Sequence, residues 1–424
     1  MNENIDKKTR TMAFLVQFFG HRNVNFSCQL VLFIFLHTPI SPPMLNFNMY
    51  WFGLSAIAFH ASLALASVGD RLPEFQKCLL HCDELYSCSN PRADHSLPQL
   101  VLDSVPPSSY QLKEFEKFSV NPVCRVVFLW DCLLDCNYKC QRLVTISREN
   151  DGHEIVQFYG KWPFVRVLGT QEFASVVFSI GNLMASYRNW PKLQKQFKKH
   201  GPNSDAATMY WQYMVLVVVS VVGWTFSTLF HTRDNNITET LDYFGAAGII
   251  LANFNAIVIR YFELFRSKNH QKRLVFQCGL VTVFVLHCWK LLRRWDYRYN
   301  MAFGLFFGLS SLALWILHSL AVSRIVAKNP HFFNNSIQLL PFETKILSKL
   351  EHVGFAESKY IPTLPVFLNI WMILGMAFEL MEFSPVWGIL DAHSMWHFFT
   401  IFPSLIWYDW NIWDIELDMV QRKR

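Results

Sequence analysis

The stretch MYWQYMVLVVVSVVGWTFSTLFHTRDNNITETLDYFGAAGIILANFNAIVIRYF, residues 209–262, decides the fold. Two runs in it, 209–230 and 241–262, are apolar over the length of about 20 residues that a helix needs to cross a bilayer. Between them lies only the polar turn HTRDNNITET, so the second run returns across the same membrane. The turn brings three polar residues to one end of the hairpin. Ser227 and His231 lie four apart on one helical face, and Asp242 opens the returning helix.

Composition agrees with a membrane chain. Of 424 residues, 52% are apolar, 16% aromatic and 17% charged, against about a quarter charged in a soluble domain. Further runs of spanning length occur at 167–187, 274–292, 301–321, 362–381 and 390–407, which makes an all-α membrane protein with a seven-helix bundle. The loops RNWPKLQKQFKKHG and RSKNHQKR, and the long one from SRIVAKNP to ESKY, are basic and fall on one side, which is then cytoplasmic. HTRDNNITET, with the sequon Asn236-Ile237-Thr238, and EFSPVWG fall on the other, luminal side. KLLRRWDYRYN, also luminal, dissents with Lys290, Arg293, Arg294 and Arg298; it reads either as snorkelling at a helix end or as a contact for an anionic headgroup. The net charge is +6, yet there is no basic-aromatic module, no Gly-rich phosphate loop and no internal repeat, so no nucleic-acid partner is expected.

Before the bundle, MYWFGLSAIAFHASLALASVGD, from Met49, has the apolar core and small-x-small end of a signal peptide, with cleavage expected after Ala66. Residues 1–66 are thus read as leader and signal peptide, with 1–48 outside the fold. Residues 67–160 are polar and cysteine-rich, and 161–424 hold the spans and a short cytoplasmic tail. Seven of the ten cysteines lie between Cys78 and Cys140. An oxidising lumen favours disulfides among Cys78, Cys82, Cys88, Cys132, Cys136 and Cys140, with Cys124 left over. Metal binding is the rival reading, though paired Cys-x2-Cys knuckles are missing.

In the last span, LDAHSMWH (390–397) puts His393 and His397 four residues apart on one face. Alone, the pair is either two metal ligands or two hydrogen-bonded interior histidines. Topology sharpens it, because this span also begins at the luminal side, level with Ser227, His231 and Asp242. Three histidines and a water make a catalytic zinc site with one open position. Asp242 would serve as the base and Ser227 as an oxyanion donor, unless Ser227 only bonds its own helix backbone. Asp391 is read as the helix N-cap beside this site. Asp234 is read as pairing with Arg233 or capping a loop.

Ser-x3-His, an Asp eleven residues on and a late His-x3-His resemble the superfamily of seven-span metal hydrolases that includes alkaline ceramidases and progestin and adiponectin receptors. Within it the chain is similar to the Per-one-like, post-GPI-attachment family of GPI-remodelling phospholipases. The likeness runs through GDRLPEFQKCLLHC, WDCLLDCNYKCQ, FYGKWPF, FHTRD, TETLDYF, WDYRYN and LDAHSMWH. Arg298 departs from it, standing where that family usually has a small residue. The resemblance implies a zinc enzyme of the endoplasmic reticulum or Golgi membrane. Its substrate would be GPI-anchored proteins, from whose lipid it removes the sn-2 acyl chain. It places zinc on His231, His393 and His397, and the Ser and Asp on Ser227 and Asp242. The alternatives are a ceramidase-like amidase on the same metal site, or a receptor or cargo adaptor with structural zinc. Oligomeric state is not legible.

Overall fold

The computed structural model describes residues 67–88, 108, 110–328, 340, 342–352, 354 and 357–422. The expected leader and signal peptide lie outside them. One compact unit comprises Ala66–Val275 and Arg298–Arg424; Phe276–Tyr297 belongs to another. Among the described residues the chain is helical, with isolated bridges and no strand.

The cysteine-rich region is built on two helices, α1 (Pro73–Leu85) and α4 (Cys132–Asn150), with the short α2 (Leu112–Glu116) and α3 (Pro122–Val127) between them. Pro73 starts α1 at a position where its missing N–H costs nothing, and the Asp131 side chain caps α4 by accepting the Leu134 N–H at 2.8 Å. Cysteines four apart stack on one face of each helix. The disulfides are Cys78–Cys140, Cys82–Cys136 and Cys88–Cys132. One turn up α1 meets one turn down α4, so the helices run antiparallel. Cys124 remains a free thiol. Phe75, Leu79, Phe115, Leu143, Val144 and Phe158 close a small core around this ladder. A core this small needs such staples, since small domains bury too little apolar surface.

The bundle consists of α5 (Phe173–Tyr187), α6 (Trp190–His200), α7 (Asp205–Thr232), α8 (Asn236–Tyr261), α10 (Tyr297–Lys328), α11 (Glu343–Glu351), α12 (Leu364–Met381) and α13 (Ala392–Arg422). The helix between α8 and α10 is α9 (His270–Arg293). Among the described residues, five helices are long and apolar enough to cross a membrane: α7, α8, the segment Ser267–Arg293 that contains α9, α10 and α12. The chain is a multi-pass membrane protein. The first and last expected spans correspond to α5 and the start of α13. Helix α5 has 15 residues rather than a full span, because Leu168 and Gly169 turn at positive φ and keep 167–172 out of the helix. Both helices also carry the buried polar residues described below.

Helices α7 and α8 form the hairpin foreseen from the sequence. Asn235 caps α8 through a capping box with Thr238, which occupies part of the expected sequon. Gly223 and Gly245 let the two backbones touch: a Cβ on Gly245 would lie 2.9 Å from the Gly223 Cα. Gly223 is one turn before Ser227 and Gly245 three residues after Asp242, so this contact draws Asp242 to Ser227. Helix α5 packs on α7 and α13, and α12 packs on α13.

Candidate metal centre

Each of the three histidines comes from a helix end held by a different neighbour. His231 is in the last turn of α7, and His393 and His397 are in the first two turns of α13. Their ligand atoms all lie within 4.8 Å of one another. His397 Nε2 and His393 Nε2 are 3.0 Å apart, and the three rings lie 4.6–5.1 Å apart, centre to centre.

The Nδ1 atoms point outward, each to its own partner. His231 Nδ1 donates to Glu172 Oε2 at 2.7 Å, His393 Nδ1 to Glu379 Oε2 at 2.9 Å, and His397 Nδ1 meets Ser179 Oγ at 2.9 Å. A proton on each Nδ1 leaves each Nε2 as a lone pair. His231 Nε2 is buried without a hydrogen-bond partner. A buried polar atom rarely stays unpaired, and one in a ring of lone pairs is where a cation belongs. Zinc–nitrogen bonds of 2.0–2.1 Å at tetrahedral angles put ligand nitrogens about 3.3 Å apart, close to the His393–His397 separation. The donor set therefore fits a zinc ion with outer partners that fix each imidazole.

Lys161 anchors this outer ring. Its Nζ is 2.6 Å from Glu172 Oε1 and 3.1 Å from Asp234 Oδ2. Burial works against the Lys161 charge, but these two carboxylates outweigh it and hold the ammonium above its ordinary pKa. Asp234 thus pairs with Lys161 rather than Arg233, whose guanidinium lies over Trp130. Adjacent residues on a chain rarely face one another, which is why Asp234 turns to Lys161 instead of Arg233.

Ser227 Oγ sits 3.2 Å from Ser179 Oγ, and the α7–α8 contact at Gly223 and Gly245 brings it beside Asp242. With the proton on His397 Nδ1, Ser179 accepts from His397 and donates to Ser227, which leaves the Ser227 hydroxyl proton free to face Asp242. The Asp391 carboxylate accepts the Ser394 N–H at 2.9 Å, while Ser394 Oγ accepts the Asp391 N–H at 3.0 Å. That reciprocal pair is a helix cap, and Asp391 makes no contact with the imidazole nitrogens among these bonds. Asn182 ties α5 to α13 by donating to the His397 carbonyl at 2.7 Å.

A second cluster of donor atoms, Asp83, Cys88 and Cys136, has similar spacing. Both its cysteines are in disulfides, so neither offers a thiolate.

The family model for the Per1-like family matches residues 122–415. The chain belongs to the Per1-like family. That stretch takes in α4 and every residue of the metal centre. Protein PER1 of Saccharomyces cerevisiae is 33% identical over 358 residues, covering 84% of this chain and 94% of that protein. GPI-specific phospholipase A2-like PGAP3 of Xenopus laevis is 30% identical, covering 83% of this chain and 91% of its own length. Its Homo sapiens namesake is 29% identical, covering 82% and 89%. No solved structure matches the chain.

The sequence reading missed Glu172, Ser179 and Glu379, which hold the histidines. Two signals were present. Glu379 is a lone carboxylate in the apolar run 364–381, a costly placement that asks for a partner. Ser175, Ser179, Asn182 and Ser186 recur at helical spacing and are all buried on α5.

Proposed function

We propose that this protein is a membrane-embedded, zinc-dependent hydrolase that removes the sn-2 acyl chain from the lipid of GPI-anchored proteins, in the endoplasmic reticulum. The observation that carries this reading is the ring of three outward-anchored imidazoles whose free nitrogens converge at the end of a membrane helix bundle. The substrate rests on relatives called GPI-specific phospholipase A2-like. The disulfide ladder favours an oxidising lumen for the cysteine-rich region, and the site then lies in the luminal leaflet.

His231, His393 and His397 would hold the ion through Nε2, leaving a fourth position open, as a catalytic rather than a closed structural site requires. Bound zinc would lower the pKa of a water and polarise the ester carbonyl. Asp242 takes the proton from the attacking water through its carboxylate. The water oxygen bonds to the carbonyl carbon, the bond to the sn-2 glycerol oxygen breaks, and Asp242 returns the proton to that oxygen. Free fatty acid and lyso-GPI result. Ser227, beside Asp242, would donate its hydroxyl proton to that carboxylate and so aim the base; the oxyanion role expected of it would require it to turn. Trp224, its ring 5.3 Å from that of His397, walls the site with apolar surface.

Replacing a general base costs typically 10²–10⁴-fold in rate, so Asp242→Ala should lose sn-2 deacylation by at least about 100-fold while keeping its zinc. His397→Ala should lose both. The measurement is the fraction of GPI-linked protein that retains its sn-2 chain in cells, with zinc content of the purified protein alongside. Normal remodelling by a well-expressed, zinc-loaded Asp242→Ala protein sinks the mechanism.

A further inference from the structure

Helix α5 raises a problem of length. Its 15 residues rise about 22 Å, whereas the hydrocarbon core is about 30 Å thick. At its far end the chain turns at Arg188 into the basic helix α6, with Lys192, Lys195, Lys198 and Lys199, which belongs at a water-facing surface. The missing rise is therefore at the other end, where the non-helical segment 165–172 leads into α5. Non-helical backbone is tolerated at membrane depth only where its polar groups are satisfied by protein. In this segment most of the N–H groups are. The Val165 N–H donates to the Gly388 carbonyl, Gln171 to Thr232, Glu172 to His231 and Thr170 to Val167, at 2.7–3.0 Å. The Arg166 N–H donates to Tyr138 Oη at 3.1 Å.

The surface this segment carries is apolar. Leu168 projects from it. Gly169 lies against α3: a Cβ there would meet the Cys124 Cβ at 2.6 Å, and its carbonyl accepts from Trp130 Nε1 at 2.9 Å. Val123, Val126, Val127, Leu129 and Leu168 are each 64–73% exposed. Leu129 and Leu168 are presented from backbone at positive φ, 55° and 54°, an arrangement that costs energy for a leucine. A water-facing domain rarely gathers so many large apolar side chains in one place. Arg125, amid them, has the reach to place its charge at the phosphate level.

We infer that α3, Leu129 and the segment 165–172 form a re-entrant element that is immersed in the outer part of one bilayer leaflet, with Val123, Val126, Val127, Leu129 and Leu168 in contact with lipid. The occupant of this face is bilayer lipid, because the segment that carries it is bonded to the terminal turn of a spanning helix at His231 and Thr232. The element shortens the span at the metal centre. Glu172, its last residue, then brings His231 below the membrane surface, where the ester linkages of glycerolipids lie.

The test is photo-crosslinking in the full chain. A genetically encoded diazirine amino acid replaces Val126 or Leu168, with Lys113, exposed on α2, as the control position. The protein is reconstituted in phosphatidylcholine vesicles and irradiated, and adducts are read by mass spectrometry. Non-reducing electrophoresis shows that the three disulfides have formed in each variant. A several-fold excess of phosphatidylcholine adduct at both 126 and 168 over 113 is expected. Adducts with protein alone, which would mark a second copy or a partner, overturn the proposal. So does lipid labelling at one position only, or no excess over the control. The readout is lipid contact, so it stands apart from whether the site is a hydrolase.

Discussion

Helix α13 carries two buried polar clusters, at His397 and at Asp414, about 25 Å apart along its axis, and they differ in completeness. In the C-terminal cluster the charges are matched. Asp414 accepts from Arg260 at 2.6 and 2.9 Å and from His318 at 3.0 Å. Asp409 pairs with Lys192 and Lys349, Glu416 with His200 and Lys199, and Asp418 with Arg266. Lys192, Arg266 and Lys349 come from the three basic loops, so these three side chains meet at one end of α13. In the N-terminal cluster the outer bonds are complete and the inner ones are not, since His231 Nε2 has no partner. A network whose charges are matched, although Arg266 Nε in it has no hydrogen-bond partner, holds helices together. A network closed on its outside and open at its centre is arranged around something else.

The sharpest way to break this contrast is to open the closed cluster. Asp414→Ala leaves Arg260 and His318 buried without their shared carboxylate. Removing one partner of a buried ion pair costs about 3–5 kcal/mol, mostly the penalty of the stranded charge. Thermal unfolding of the detergent-solubilised protein should show that loss, and the folded remainder should still bind zinc. A double variant with Arg260→Met should recover much of the stability. His397→Ala should do the reverse, removing zinc with little change in unfolding of the metal-free protein, because the outer partner of His397 is the neutral Ser179 hydroxyl and no carboxylate is stranded. If both single variants destabilise the metal-free protein equally, the two clusters are of one kind.

Much of the open cluster was legible in the sequence because its residues obey local spacing. Ser227 and His231 share a helical face, as do His393 and His397, and the short turn at 231–240 fixes Asp242 beside them. The cysteine ladder was half legible in the same way: spacing gave the faces, and only the packing of α1 on α4 gave the pairs. The outer ring was hidden because its contacts cross the chain at arbitrary separations, from α5 to α13 or from the 165–172 segment to α7. The seventh-span reading of 390–407 and the first-span reading of 167–187 were blurred by the residues that make the site. Ser179, Asn182, Asp391 and the histidines lower the apolarity of the two helices that need them.

A smaller change tests the outer ring. Glu379 holds His393 Nδ1, and Glu379→Gln keeps the shape of the acceptor but removes its charge. Losing such an outer partner typically weakens metal affinity about 10–100-fold. Competition with a chromophoric chelator should read that shift, and at saturating zinc the variant should regain most of its activity. An unchanged affinity would make Glu379 a bystander to the centre.

The smallest expected effect concerns Asp391, the acid closest in sequence to the histidines. Its bonds with Ser394 are those of a cap, and deleting an N-cap costs about 0.5–2 kcal/mol. Asp391→Ala should therefore lower the melting temperature slightly. Asp391→Ser, whose hydroxyl can accept the same N–H, should restore it. Both variants should retain zinc and most of the deacylation rate, since the first turn of α13 is still held by the Asn182 bond to the His397 carbonyl and by the Glu379 bond to His393. The discriminating outcome is the serine variant. If Asp391→Ser melts like wild type yet loses activity as deeply as Asp242→Ala, then Asp391 acts on the proton or the substrate and the open cluster has two working carboxylates. If stability and activity return together, the polar start of α13 divides cleanly, with Asp391 and Ser394 starting the helix and His393 and His397 facing the centre.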